Sequence, residues 1–144
     1  LIETDLDKAL AMKENFTENK KIKVVNTFVT PNSLDKVLMD FLLPPNFDFL
    51  NIDVDSFEYE IWKTLKGYEP NLVCVEINQF EMDFSIVKYD PSYSLEGREG
   101  YGGATVGLMN KLAEEKGYDF LCLDVSNAFY IRRDFVNGGD YAKS

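Results

Sequence analysis

The chain has 144 residues, the length of one domain, and 45% of them are apolar, which is enough for a packed core and argues against global disorder. Its 15 Lys and Arg against 25 Asp and Glu give a net charge of −10, which excludes a broad basic surface for nucleic acid and disfavours an anionic membrane. The sequence has no histidine, which excludes a Ser-His-Asp triad, a Cys-His dyad and a zinc site with His ligands.

The first third of the chain alternates between short strands and helices. Asp5 is a suitable N-cap for a helix, because apolar residues at helical spacing follow it. Pro31 stops the element before it, and Pro44-Pro45 breaks the helix that precedes the pair. The predicted elements are a strand at 1–4 (LIET), a helix over 6–18, a strand at 22–25 (IKVV) and a helix over 34–42.

The middle of the chain carries two strongly apolar runs, FDFLNIDV at 47–54 and NLVCVEIN at 71–78. Apolar residues at successive positions are typical of a strand that is covered on both faces of its sheet. A helix over 57–65 is predicted between them, with Asp55 or Ser56 as its cap and Gly67 after its end.

The last part of the chain begins with a long polar and aromatic stretch, 79–103, which is typical of a functional or mobile loop. Its glycine-rich end lacks the residues of a Walker A loop or of a dinucleotide fingerprint, so we interpret it as the approach to a helix. The predicted elements are a helix over 105–116 that stops at Gly117, and an antiparallel pair of strands near 119–125 and 128–133.

These elements predict an α/β fold, a three-layer sandwich around a mainly parallel sheet with an antiparallel C-terminal hairpin. The sequence has no internal repeat and no linker, so residues 1–144 are expected to form a single domain. In such sheets ligands bind at the carboxyl ends of the strands, and chemistry is therefore expected there.

The two cysteines, Cys74 and Cys122, lie in apolar runs and are predicted to be buried free thiols. Two cysteines make no disulfide framework, so a reducing, cytoplasmic compartment is expected. No run reaches the ~18 apolar residues of a membrane span, and we expect no membrane partner.

Acidic and amide side chains stand at the predicted strand ends: Glu3, Asp53, Asp55, Glu76 and Asn78. A carboxylate there can bind a ribose diol, hold a divalent cation or act as a general base. For Asp55, capping of the next helix is the alternative, because Asp favours that position. Asp53 and Glu76 lie in apolar strands, where burying a carboxylate is costly, and this favours a functional role.

Aromatic and basic side chains in the long loop, among them Tyr89, Arg98 and Tyr101, suit a sugar or another polar organic substrate. The alternative is a loop that packs on itself, and the sequence leaves both open.

The residues at 51–78, NIDVDSFEYEIWKTLKGYEPNLVCVEIN, resemble the FkbM-type methyltransferases, whose pattern is IDVEGFE-x-x-VLKG followed by a hydrophobic strand that ends in Glu. YGGATVGLMNKLAEEKGYDFLCLDVSNAFYIRRDF resembles a branch with a small-residue loop, a helix, Lys-Gly-Tyr and an Asn-Ala-Phe-Phe hairpin. LIETDLDKALAMKENF is similar to the second strand and helix of the same Rossmann-like fold. The resemblance covers about residues 1–135.

The resemblance implies a role for each matching acid. Glu3 would hold the ribose hydroxyls of S-adenosylmethionine, and Asn26 would lie near its adenine. Asp53 would lie at the methyl-donor end of the cofactor, and Asp55 and Glu76 would border the substrate. With no histidine in the chain, these last three acids are the candidate catalytic bases. Asn78 and the loop residues Tyr89, Arg98 and Tyr101 are the candidate substrate contacts.

The chain departs from the family at two points. Ser56 stands where the family has glycine, and the family's first strand with its glycine-rich cofactor loop has no counterpart among these residues. We therefore expect an N-terminally truncated fragment that binds S-adenosylmethionine weakly or not at all and is inactive alone, because that loop supplies backbone hydrogen bonds to the cofactor.

The implied reaction is O-methylation of a sugar or another small metabolite, and the implied partner is this small-molecule acceptor. The alternative is a non-catalytic methyltransferase-like domain used for binding or assembly. Unpaired strand edges recruit partners, which makes a homo-oligomer a further expectation. The same acids could hold a divalent metal, but we expect none.

Overall fold

The computed structural model describes residues 1–78, 89, 90, 92 and 103–138. The chain divides into two compact units, Leu1–Thr30 and Pro31–Ser144. The single domain expected from the sequence remains a prediction.

The first unit contains a small parallel sheet and one helix. Strands β1 (Ile2–Glu3) and β2 (Val25–Asn26) pair in parallel, and helix α1 (Leu6–Asn15) connects them. Asp5 caps α1 as predicted, because its Oδ1 accepts the Lys8 N–H at 3.0 Å. Of the predicted strand IKVV only Val25 enters the sheet, and Asn26 follows it, because β1 offers just two residues to pair with.

The second unit contains four strands and four helices among its described residues. They are α2 (Leu34–Asp40), β3 (Phe49–Ile52), α3 (Glu58–Thr64), β4 (Leu72–Glu76), α4 (Val106–Glu115), β5 (Tyr118–Asp124), β6 (Asn127–Arg132) and α5 (Arg133–Gly138). Every strand and helix predicted for this region is present, and α5 is an addition to them.

The four strands form a mixed sheet in the order β3-β4-β6-β5. Strands β3 and β4 are parallel, and β6 runs antiparallel to both β4 and β5. The α/β class and the antiparallel C-terminal pair are thus confirmed. Among the described residues two pairings are parallel and two antiparallel, so the sheets are mixed and not mainly parallel.

The core of the second unit forms around Trp62 of α3. Its ring centroid lies 5.4 Å from that of Tyr118 and 5.2 Å from that of Tyr130, and all three residues are buried. Each tyrosine hydroxyl has a partner, since Tyr118 donates to the Pro70 carbonyl and Tyr130 to Asn110 Oδ1. Tyrosine rings whose hydroxyls are hydrogen-bonded add packing energy without leaving those hydroxyls unpaired.

The prediction for the cysteines is confirmed for Cys74 and wrong for Cys122. Cys74 is buried on β4, the strand between β3 and β6. Cys122 is exposed, because it lies on β5 at the edge of the sheet, where an apolar run is not covered as it is on an inner strand. No helix in the described part of the chain has the length and apolar character needed to cross a membrane.

Gly67 allows a close approach between α2 and the segment that follows α3. Helix α3 ends at Thr64, and the Asp35 carboxylate accepts the Lys66 N–H at 3.3 Å and the Gly67 N–H at 2.8 Å. A Cβ on Gly67 would lie 2.9 Å from Asp35 Oδ1, which is closer than real Cβ contacts. Space for this carboxylate is therefore the structural reason for a glycine here.

We predict that Gly67→Ala lowers the free energy of unfolding by about 1 kcal/mol, because the Asp35 carboxylate must move off its two N–H donors. Gly107→Ala is the matched control, since nothing lies within 4 Å of its Cβ position on α4. That control should gain roughly 0.5–1 kcal/mol from reduced backbone entropy in a helix. Urea unfolding of the variants measures both changes. Equal changes in the two variants would contradict the role assigned to Gly67.

Candidate functional site

Three carboxylates meet at the carboxyl edge of the parallel pair β3–β4. The register that pairs Ile52 with Val75 brings Asp53, one residue further along, beside Glu76. Carboxylate oxygens of Asp53, Asp55 and Glu76 all lie within 4.8 Å of one another. We call these three residues the acidic site. Asp53 and Asp55 are exposed, and Glu76 is half-buried.

Glu76 has the most perturbed environment of the three. Burial, followed by the negative charges of Asp53, Glu58 and Asp55, raises the pKa of Glu76 from 4.5 to about 6. A hydrogen bond between the Asp53 and Glu76 side chains has the same effect on this pKa, because one of the two must hold the proton. A carboxyl that titrates near neutrality can accept a proton from a substrate.

The turn that follows β3 has an unusual backbone. Asp55 has φ of 57° and Ser56 has φ of 126°, both in the region that favours glycine. The Ser56 hydroxyl is buried and has no hydrogen-bond partner among the described residues. The predicted capping of α3 by Asp55 or Ser56 is wrong: the N-cap is Phe57, and no side chain caps it.

Glu58 is a residue of this region that the sequence analysis did not select. It is the first residue of α3, and only 1% of it is exposed. Burial raises the pKa of Glu58, and hydrogen bonds from backbone N–H groups oppose that rise. The signal in the sequence was the spacing Asp55-x-x-Glu58, the pattern of a capping box whose Glu turns back to the preceding backbone.

Further polar residues continue the same edge beyond Glu76. Asn127 of β6 is paired with Glu76, and Asp124 of β5 is paired with Asn127. Sequence reasoning missed both, because their position beside β4 depends on β6 lying between β4 and β5.

Asn78, a predicted substrate contact, lies just beyond the end of β4 and is only 9% exposed. Its N–H donates to the Ala104 carbonyl at 2.9 Å, and a β-bridge joins it to Thr105. Gly103, with φ of 85°, adjoins this contact, and its missing Cβ would lie 3.7 Å from the Asn78 nitrogen. The 103–105 segment thus covers Asn78 and keeps it from standing open at the edge.

Tyr89 is the one predicted loop contact that the structure describes. Its ring packs edge-on against Phe57 with centroids 5.2 Å apart, and its N–H donates to the Glu60 carboxylate. Tyr89 is therefore held next to the residue that follows the Asp53–Ser56 turn. Arg98 and Tyr101 lie outside the described residues.

Glu3 and Asn26, the predicted contacts to cofactor ribose and adenine, are adjacent in the first unit. The Glu3 carboxylate accepts the Asp5 N–H at 2.8 Å. The Asn26 amide donates to the carbonyls of Glu3 and Thr4 at 3.0 and 2.8 Å. Both side chains thus have local partners within that unit.

The donor set of the acidic site also suits a hard divalent cation. Three carboxylates with oxygens this close offer the ligand type that Mg²⁺ and Ca²⁺ take in proteins. A cation there would offset the repulsion among the three charges, as would a shared proton.

Comparison of the sequence and the fold with models of known protein families, with curated proteins and with solved structures finds no match. The resemblance to the FkbM-type family therefore depends on the motifs quoted above.

We predict that Glu76→Gln removes a pH dependence of stability. Because the folded pKa of Glu76 is raised from 4.5 to about 6, its contribution is present at low pH and is lost as pH rises through that window. As pH rises through that window, the free energy of unfolding of the variant should therefore increase relative to that of the wild type by on the order of 1 kcal/mol. This value is reduced to account for solvent screening of a half-exposed group. Urea unfolding over a pH series measures this.

Glu114→Gln, on the exposed side of α4, is the control and should show the pH profile of the wild type. Parallel profiles for wild type and Glu76→Gln would contradict the environment described for Glu76.

Proposed function

We propose that the protein is an S-adenosylmethionine-dependent methyltransferase of the FkbM-like type, with a three-layer Rossmann-like fold, that methylates a hydroxyl of a sugar or another small metabolite in the cytoplasm. The observation that carries the proposal is the acidic site at the carboxyl edge of β3 and β4. This is the edge at which open α/β sheets bind their ligands.

The strand pairing within each unit supports the fold assignment. The LIET strand pairs in parallel with β2 in the first unit, and the NIDV strand pairs in parallel with β4 in the second. The C-terminal antiparallel pair β5–β6 also agrees with the resemblance.

The chemistry of the acidic site suits transfer to a hydroxyl. S-adenosylmethionine, when bound, supplies the methyl group on a positively charged sulfur. The acceptor oxygen must lose its proton as it bonds to the methyl carbon, and Glu76 is the candidate base because its pKa lies near neutrality. Asp53 lies beside it, and its negative charge favours a cationic donor over a neutral one.

A second candidate is a non-catalytic methyltransferase-like domain. The observation in its favour is that the side chains of Glu3 and Asn26 are already engaged in hydrogen bonds within the first unit. A cofactor that used them would have to compete with those bonds. Such a domain would serve binding or assembly, with homo-oligomer formation through unpaired strand edges as one form.

The test of the proposal compares two ligands that differ only in the transferable methyl group and its charge. S-adenosylmethionine and S-adenosylhomocysteine are titrated at millimolar concentration into the ¹⁵N-labelled chain, and amide shifts give both affinities. We expect the wild type to bind both weakly and to prefer the charged ligand. Asp53→Asn should reduce that preference about tenfold, since a charge-assisted contact contributes roughly 1.5–3 kcal/mol.

Asp48→Asn is the matched control, because Asp48 is an exposed acid at the opposite end of the same strand. It should leave the preference unchanged. Binding of both ligands by the folded wild type with no preference for the charged one would favour the non-catalytic candidate, and an equal loss for both ligands in Asp53→Asn would remove Asp53 from the methyl-donor end.

A further inference from the structure

Glu58 is the one buried carboxylate in the described part of the chain, and the proposed chemistry does not use it. A carboxylate withdrawn from water is costly unless its oxygens are hydrogen-bonded. Its retention at the start of α3, directly after the turn that carries Asp53 and Asp55, calls for a role in that turn.

The contacts of Glu58 lie in the turn itself. Glu58 Oε1 accepts the Val54 N–H and the Ser56 N–H, each at 3.0 Å. These two donors flank Asp55, and the first of them follows Asp53. One carboxylate oxygen therefore fixes the backbone on both sides of Asp55.

The turn needs such a restraint because its conformation is strained. Asp55 has φ of 57° and Ser56 has φ of 126°, positions that cost residues with a Cβ of order 1–3 kcal/mol each. Without the Glu58 carboxylate, the Val54 and Ser56 N–H groups would also lose their hydrogen bonds. Asp53 and Asp55 would then no longer be held in their present position beside Glu76.

The second oxygen of Glu58 lies against the 103–105 segment. A Cβ on Gly103 would be 3.7 Å from Glu58 Oε2, so the absence of a side chain leaves the carboxylate its space. Glu58 thus lies between the turn on one side and this segment on the other.

We propose that Glu58 is a positioning residue of the acidic site: by accepting the Val54 and Ser56 N–H groups, its carboxylate fixes the turn that holds Asp53 and Asp55 against Glu76. The proposal extends the proposed function, on which its relevance to methyl transfer rests. Its geometric part depends only on this chain.

Two variants distinguish the effect of the length of the Glu58 side chain from the effect of its charge. Glu58→Gln keeps the reach and the acceptor oxygen but loses the charge, whereas Glu58→Asp keeps the charge but is one methylene too short. Glu115→Gln, an exposed glutamate on α4, is the control. The first readout is hydrogen exchange at the Val54 and Ser56 amides, compared with the amides of β4 in the same protein.

We expect exchange at these two amides to rise at least about tenfold in Glu58→Asp, the change that follows from loss of a hydrogen bond. In Glu58→Gln and in the control it should stay within a few-fold of the wild type. The β4 amides report general loss of stability, so a uniform rise in all amides is not the expected result. Equal behaviour of the Gln and Asp variants, or a uniform rise, would overturn the proposal.

The second readout is the preference for S-adenosylmethionine over S-adenosylhomocysteine. It should fall in Glu58→Asp, as is expected for Asp53→Asn, and be retained in Glu58→Gln. If the wild type shows no such preference, the proposed function fails, while the exchange result still decides whether Glu58 positions the turn.

Discussion

The close approach of like charges at the end of β3 and β4 is the constraint on which the rest of the site depends. Two unit charges 4 Å apart repel by about 1 kcal/mol in water and by about 4 kcal/mol at the effective dielectric of a protein surface. The parallel register of β3 and β4 imposes this approach, because it brings Asp53 beside Glu76. The neighbouring residues relieve the repulsion in two ways.

The first relief is a proton. Glu76 is half-buried and faces three other carboxylates, so it keeps its proton to about pH 6 and shares a hydrogen bond with Asp53. The second relief is hydrogen bonding from the backbone, since the buried Glu58 carboxylate accepts the Val54 and Ser56 N–H groups. The same arrangement that lowers the cost of the cluster also leaves one carboxyl able to change its protonation near neutrality, and this is what a base in hydroxyl methylation requires.

The sequence predicted the second unit well where an element depends on its own residues. The apolar runs located β3, β4, β5 and β6 to within about two residues, because buried strands need apolar side chains wherever they pair. The exposure of Cys122 was missed, because an apolar run has the same appearance on an edge strand as on an inner strand.

The rule that ligands bind at the carboxyl ends of strands identified Asp53 and Glu76 as candidate site residues from the sequence alone. The backbone of Asp55 and Ser56 could not be predicted, because the local preference of Asp for helix caps is overridden there by the carboxylate of Glu58.

The central claim is that Asp53 and Glu76 repel each other directly across β3 and β4, and a double-mutant cycle tests it most directly. The free energies of unfolding of wild type, Asp53→Asn, Glu76→Gln and the double variant are measured at about pH 8, above the pKa of Glu76. Either single substitution should remove the repulsion between Asp53 and Glu76. The gain in free energy of unfolding of the double variant should therefore be smaller, by about 1 kcal/mol, than the sum of the gains of the two single variants. Additivity within about 0.3–0.5 kcal/mol, the behaviour of residues that do not touch, would contradict the account.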